Sequence, residues 1–206
     1  MRKISTRNYN FDIETRNDDK NGNHITGRAI VYDSVTDLGW FDEVIAKGAL
    51  DESDLKDVRF LVNHDTSMIP LARSRNNNEN STMQLIPGDE GLDLRVNLDT
   101  ENNSDAKNLY SAIQREDVTG MSFMFTVDGE EWERLESDHP TRTITKIGKV
   151  FEISAVTFPA YEDTSISARD AETVLKEARE KIKSVRNDKL KNDIELEKLK
   201  IKNKYI

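Results

Sequence analysis

The chain has 206 residues, a net charge of −9 and 35% hydrophobic residues, which allows one domain with a real core plus an appendage. It has no cysteine, and this excludes disulfides, a cysteine nucleophile and the common cysteine-based zinc sites. No apolar run approaches the roughly 18 residues of a membrane-spanning helix, so we expect neither a membrane segment nor a signal peptide.

The first third of the chain is predicted to be rich in strands. Residues 9–15 and 25–32 alternate between apolar and polar side chains around a polar loop, which is typical of a β-hairpin. A short helix is predicted over residues 51–57. Residues 58–62 then form a short apolar strand that ends just before His64.

The middle of the chain is predicted to contain a second hairpin and a helix. Residues 82–86 and 92–98 alternate on either side of a loop that contains Pro and Gly. Over residues 104–116 apolar residues recur at helical spacing, and Ser104 is the predicted N-cap.

The most apolar stretch of this polar chain, residues 119–127, is predicted to be a strand. Side chains alternate between its two faces, so one face carries Met121, Phe123, Phe125 and Val127 and the other carries Ser122, Met124 and Thr126. Residues 129–141 are predicted to form a charged loop. A strand pair that turns at Gly148 is predicted over residues 141–147 and 149–158.

Ser122 is the candidate nucleophile. Most strand serines are structural, and a nucleophilic serine needs an adjacent base and a third group that orients the base. His64 is the candidate base, because among the three histidines it alone follows an apolar strand and imidazole suits proton transfer near neutral pH. The other histidines, His24 and His139, lie far from it in sequence without metal-ligand spacing, so no metal or other cofactor is expected.

Glu152 is the candidate orienting group. Both faces of its predicted strand are largely apolar, which indicates a strand buried on both sides. A buried carboxylate needs a partner that satisfies it, and either a histidine ring N–H or an arginine would serve. Asp65 and His139 are the alternatives for the third member.

Residues 170–206 are predicted to be a charged helical tail. They contain 11 Lys/Arg against 8 Asp/Glu, whereas the rest of the chain is acidic. The negative charge of residues 1–169 argues against a nucleic-acid groove in that part of the chain. Apolar residues recur at helical spacing from Ala171 to Val185, but the segment has no core of its own. We expect a scaffold-interaction or packaging arm that self-cleavage removes. A helix docked on the body or an oligomer contact is the alternative.

Several short elements together resemble the tailed-phage prohead protease family, the capsid-maturation serine proteases related in fold to the herpesvirus assemblins. The resemblance spans residues 11–169 and rests on the order and spacing of Gly27-Arg28-Ala29-Ile30-Val31-Tyr32, Glu43…Gly48-Ala49-Leu50, Asn63-His64-Asp65, Met121-Ser122-Phe123 and Glu152-Ile153-Ser154…Pro159-Ala160-Tyr161. The family's histidine and serine correspond to His64 and Ser122. Glu152 stands in the region where the herpesvirus enzymes have a histidine as third member.

The resemblance implies a mainly β fold with helices (α+β), namely a herpesvirus-protease-like β-barrel decorated by helices. It implies a protease domain over residues 1–169, followed by the helical tail over residues 170–206. The implied activity is that of a serine endopeptidase with a Ser-His-Glu mechanism and no cofactor.

The resemblance also implies the setting and the partners. The substrates would be the major capsid protein, scaffold segments and the chain itself, cut inside the assembling procapsid in the host cytoplasm. The portal and further copies of the chain are additional expected partners, whereas nucleic acid and membrane are not. One alternative is a catalytically inactive capsid assembly or scaffold protein with the same fold. The other is a hydrolase of esters or small amides, against which the absence of a Gly-x-Ser-x-Gly motif argues.

Overall fold

The computed structural model describes residues 4–9, 13–18, 22–157, 173–180 and 183–184. The strands are β1 (Ile4–Tyr9), β2 (Ile13–Asp18), β3 (Gly22–Val31), β4 (Thr36–Asp37), β5 (Asp42–Ile45), β6 (Asp57–Val62), β7 (Ala72–Arg75), β8 (Met83–Gly88), β9 (Gly91–Asn97), β10 (Gly120–Glu133) and β11 (Thr141–Val156), and the helix is α1 (Ser104–Gln114). Residues 173–180 are also helical. Within these ranges no helix is both long and apolar enough to cross a membrane.

The strands form two open sheets. The larger sheet has the order β1-β10-β11-β5-β4, with β6 and β7 attached beside β11, and the smaller has the order β2-β3-β9-β8. Strand β11 pairs with β5 along residues 141–144 and with β6 along residues 152–155, so the larger sheet branches there instead of closing. The mainly β, α+β character is confirmed, but the described strands do not form the expected barrel.

Strands β10 and β11 are longer than the sequence predicted. They pair antiparallel from Gly120 opposite Val156 to Glu133 opposite Thr141, so the predicted loop at 129–141 is confined to residues 134–140 and the predicted turn at Gly148 is wrong. A Cβ atom at residue 148 would lie 2.5 Å from Oδ1 of Asp128. Gly148 therefore lies inside a strand beside the Asp128 side chain, and not in a turn.

The two helix predictions had different outcomes. Helix α1 is confirmed, although its N-cap is Asn103, one residue before the predicted one. The predicted helix at 51–57 is wrong. Asp54 instead forms a parallel bridge with Lys149 of β11, so its backbone hydrogen bonds go to the sheet.

The main core joins both sheets and α1. It includes the buried side chains of Ile25, Ile30, Phe60, Leu94, Leu109, Phe123 and Ile153. A second apolar cluster consists of Leu38, Phe41, Leu135, Leu175 and Ala178. Since the last two belong to residues 173–180, this part of the expected tail is docked on the body, where Nε of Arg179 also donates to the Leu135 carbonyl at 3.1 Å. Most of the remaining tail and the segment Pro159-Ala160-Tyr161 lie outside the described residues.

A buried ion cluster links β1, β5, β10 and β11. The carboxylate of Glu43 accepts two hydrogen bonds from the guanidinium of Arg7 and one, at 3.0 Å, from Arg142. Arg142 in turn donates to Glu130 at 2.8 Å. Burial raises the pKa of the Glu43 carboxyl, but the two arginines outweigh it and hold that pKa below its usual range.

Replacing Glu43 by glutamine should lower the free energy of unfolding at neutral pH by about 3–5 kcal/mol, because the buried guanidinium of Arg7 loses this carboxylate and Arg142 loses one of the two carboxylates that it contacts. Because the folded-state pKa is lowered, the contribution of Glu43 is present above the unfolded-state pKa of about 4.3 and is lost as pH falls through the folded value. Urea unfolding from pH 7 downward measures both effects, and the two proteins should converge in acid.

The matched control is Glu52→Gln. Its side chain is 74% exposed and pairs with Lys146 at the surface, so a small change is expected. A Glu43→Gln loss no larger than that of Glu52→Gln would contradict the importance of the buried cluster.

Candidate active site

Two consecutive residues with positive φ carry the chain past the end of β6. Asn63 has φ 49° and His64 has φ 59°, a left-handed region that costs about 1–2 kcal/mol for a residue with a side chain. The Asn63 N–H donates to the Ala155 carbonyl at 2.9 Å, and the Asn63 side chain exchanges hydrogen bonds with Thr157. Strained backbone that its surroundings hold in place is typical of functional sites. The sequence analysis did not predict this turn because neither residue is glycine, although asparagine and histidine adopt the left-handed region more often than most residues.

His64 contacts the predicted orienting group. Its Nδ1 lies 2.6 Å from Oε1 of Glu152 on β11. The Glu152 side chain is 3% exposed and that of His64 is 21% exposed, so the carboxylate is dry while the imidazole reaches solvent. A carboxylate at this distance makes Nδ1 the protonated nitrogen of neutral His64 and leaves Nε2 as the basic one.

Ser154 completes the surroundings of Glu152. Its hydroxyl donates to Oε2 of Glu152 at 2.5 Å, and its Oγ accepts a hydrogen bond from the backbone N–H of His64 at 3.1 Å. Ser154 is completely buried. The sequence analysis did not single it out, and the one signal available was its place two residues after Glu152 on the same strand face.

Ser122 lies on β10 directly opposite Ser154 of β11 and opposite Asn8 of β1. Opposed residues share a sheet face, and so do residues two apart, which places Ser122, Ser154 and Glu152 on one face. The Ser122 side chain is completely buried, and its hydroxyl donates to the Arg7 carbonyl at 2.7 Å.

The three predicted site residues therefore lie on neighbouring elements: His64 just after β6, Glu152 on β11 and Ser122 on β10. The structure joins His64 to Glu152, whereas it places the Ser122 hydroxyl on the backbone of β1. The catalytic roles of the three residues remain predictions.

Both alternatives for the third member have other partners. Asp65 accepts hydrogen bonds from the hydroxyl and the backbone N–H of Ser67, and these hold the pKa of Asp65 below its usual value. His139 has Nε2 3.0 Å from Oδ1 of Asp42 and 3.6 Å from Oδ1 of Asp37. Neither geometry supports an orienting role beside His64.

The group formed by Asp37, Asp42 and His139 also has ligand atoms within 4.8 Å of one another, a spacing that could hold a metal ion. Asp37 is exposed and His139 is half-buried, and the Arg134 guanidinium lies 4.0 Å from Asp42. Hydrogen bonding and ion pairing among these residues account for the cluster without an ion.

Similarity to known proteins agrees with the resemblance seen in the sequence. Residues 11–177 match the family described as caudovirus prohead serine protease, a range that includes all three predicted site residues. Among solved structures, the bacteriophage T4 capsid assembly protease, gp21, is similar with a TM-score of 0.46 and 13% sequence identity, over 76% of this chain and 98% of that chain. No curated protein sequence matches the chain.

Proposed function

The chain belongs to the caudovirus prohead serine protease family, and we propose that it is a serine endopeptidase that cleaves the major capsid protein, scaffold segments and itself during prohead maturation. The observation that carries the proposal is the 2.6 Å contact between Nδ1 of His64 and the buried Glu152 carboxylate, one strand away from Ser122. The reaction takes place inside the procapsid, in the host cytoplasm.

The proposed mechanism is acyl transfer. Oγ of Ser122 attacks the carbonyl carbon of the scissile peptide while its proton passes to Nε2 of His64. His64 returns that proton to the leaving amine, and the substrate's acyl group stays on Ser122 until water, activated in the same way, releases it. Glu152 holds the Nδ1–H and stabilises the imidazolium that forms.

The mechanism requires the Ser122 hydroxyl to leave the Arg7 carbonyl. That hydrogen bond, at 2.7 Å, occupies the proton that His64 has to remove. A change of the χ1 rotamer redirects Oγ without moving the strand. Catalytic hydrogen bonds are often absent or long in unliganded enzymes and form only with substrate, so the described geometry corresponds to a resting state in this proposal.

The second candidate function is that of a capsid assembly protein that keeps the fold without cutting. The complete burial of Ser122 favours it, because a nucleophile has to be reached by its substrate. In that case the hydroxyl serves to tie β1 to β10.

Replacing His64 by alanine distinguishes the two functions. Procapsids assembled with the wild-type chain should contain truncated capsid protein by intact-mass measurement, and those assembled with His64→Ala should not, because the base is missing. His139→Ala is the matched control and should give the wild-type products. Truncation with His64→Ala would contradict the Ser-His mechanism, and intact capsid protein with the wild-type chain would favour the assembly function.

The proposal assigns the protease domain to residues 1–169 and a scaffold-interaction or packaging arm to residues 170–206. A truncation after residue 180 tests the arm, because deleting residues 181–206 keeps the docked helical residues 173–180 over the second apolar cluster. This deletion should lower incorporation into procapsids while the melting temperature stays unchanged. Unchanged incorporation, measured by the number of copies per procapsid, would contradict the arm.

A further inference from the structure

We propose that Ser154 is a positioning residue of this site, which locks both the backbone and the ring of His64 against Glu152. The inference deepens the proposed function and rests on it. In the proposed mechanism Ser154 has no contact with the scissile bond. It acts through its two neighbours.

The hydrogen bonds around Ser154 form a closed ring. The His64 backbone N–H donates to Oγ of Ser154, and the Ser154 hydroxyl donates to Oε2 of Glu152. The other carboxylate oxygen of Glu152 lies 2.6 Å from Nδ1 of the same histidine. One hydroxyl thereby fixes the main chain of His64 directly and its imidazole through the carboxylate.

The ring acts where the backbone is strained. His64 has φ 59°, and a residue with a side chain holds such a conformation only when its surroundings determine it. The bond from its N–H to Ser154 is one of those determinants, beside the contacts between Asn63 and Thr157. Loss of the hydroxyl leaves the N–H without this acceptor and allows the imidazole to move.

The same hydroxyl also controls the carboxylate. A donor on Oε2 satisfies one oxygen of the buried Glu152 carboxylate and fixes the rotation of the carboxyl plane. Bonds arranged in a chain strengthen one another in a dry environment.

A second buried serine shows that burial alone does not require these contacts. Ser74 on β7 is also completely buried, yet within the part of the chain that the structure describes its Oγ has no hydrogen-bond partner. Ser74→Ala is therefore a control for the loss of a buried hydroxyl without the loss of positioning.

The test compares Ser154→Ala, Ser154→Thr and Ser74→Ala in procapsid cleavage assays, with melting temperature as the measure of folding. Ser154→Ala should lower kcat by about 10- to 100-fold, the range that one hydrogen bond to a charged group represents, with KM unchanged. Its pH–rate profile should also differ from the wild-type profile, because the surroundings of the Glu152 carboxylate change. Ser154→Thr keeps a hydroxyl and should recover most of the rate, and Ser74→Ala should match the wild type in rate and profile.

A second measurement does not depend on proteolysis. The proton NMR resonance of the His64 Nδ1–H reports its hydrogen bond to Glu152 and should shift or broaden in Ser154→Ala, but not in Ser74→Ala. If the wild-type chain cuts nothing, the proposed function fails while this resonance still tests the positioning.

Two results would overturn the inference. One is a Ser154→Ala protein with wild-type kcat, pH profile and ring N–H resonance. The other is a loss of activity as complete as that expected of Ser122→Ala with an unchanged resonance, which would make Ser154 a reacting group.

Discussion

Ser122→Ala should reduce the rate of capsid protein cleavage by about 10⁶-fold, to below detection, because no acyl intermediate can form without the hydroxyl. The protein should remain folded. The change removes one hydrogen bond to the Arg7 carbonyl, which costs about 1 kcal/mol, and creates only a small cavity. Time-resolved intact mass of the capsid protein in procapsids measures the rate.

The control for this variant is Ser104→Ala. Ser104 is exposed in the first turn of α1, and alanine is well tolerated there. It should cleave at the wild-type rate. Cleavage by Ser122→Ala at a rate within tenfold of the wild type would exclude Ser122 as the nucleophile.

Glu152→Gln should lower kcat by about 10⁴-fold, the scale seen when the orienting carboxylate of a serine protease is replaced by an amide. The amide has nearly the same shape as the carboxylate. Either its oxygen accepts the hydrogen bond from the Ser154 hydroxyl, or its NH₂ group donates to Ser154. The amide cannot stabilise the imidazolium, however, and its NH₂ group favours the wrong tautomer of His64. Single-turnover cleavage in procapsids separates this loss from substrate binding.

Asp65→Asn tests the alternative third member. The carboxylate of Asp65 accepts hydrogen bonds from Ser67, so its loss should change kcat by less than a few-fold. A large loss with Asp65→Asn and a small one with Glu152→Gln would reverse the assignment of the orienting group.

Strands and helices that show a hydrophobic pattern within their own residues could be predicted from the sequence. The hairpin of β8 and β9, helix α1 and the apolar strand β6 that ends before His64 were all recognised from alternation or helical spacing. The pattern around Glu152 likewise indicated a buried carboxylate in need of a partner, and its side chain is 3% exposed beside His64.

Features that depend on distant partners could not be predicted. Gly148 resembled a turn residue because its pairing with β10 leaves no mark in the local sequence. The buried pairing of Arg7 and Arg142 with Glu43 was not predicted, because Glu43 is 36 and 99 residues away from them in sequence. The role of Ser154 follows from the pairing of β11 with β6, which no local pattern specifies.

The neighbours of β10 restrict the path by which a polypeptide can reach Ser122. Asn8 of β1 and Ser154 of β11 flank this residue on its two sides within the sheet. Recognition by strand addition needs a free sheet edge, and β10 has none at this position while both neighbours stay paired. An incoming chain must therefore cross the sheet on the face that carries Glu152, and the groups that cover Ser122 have to move aside before its hydroxyl is reached.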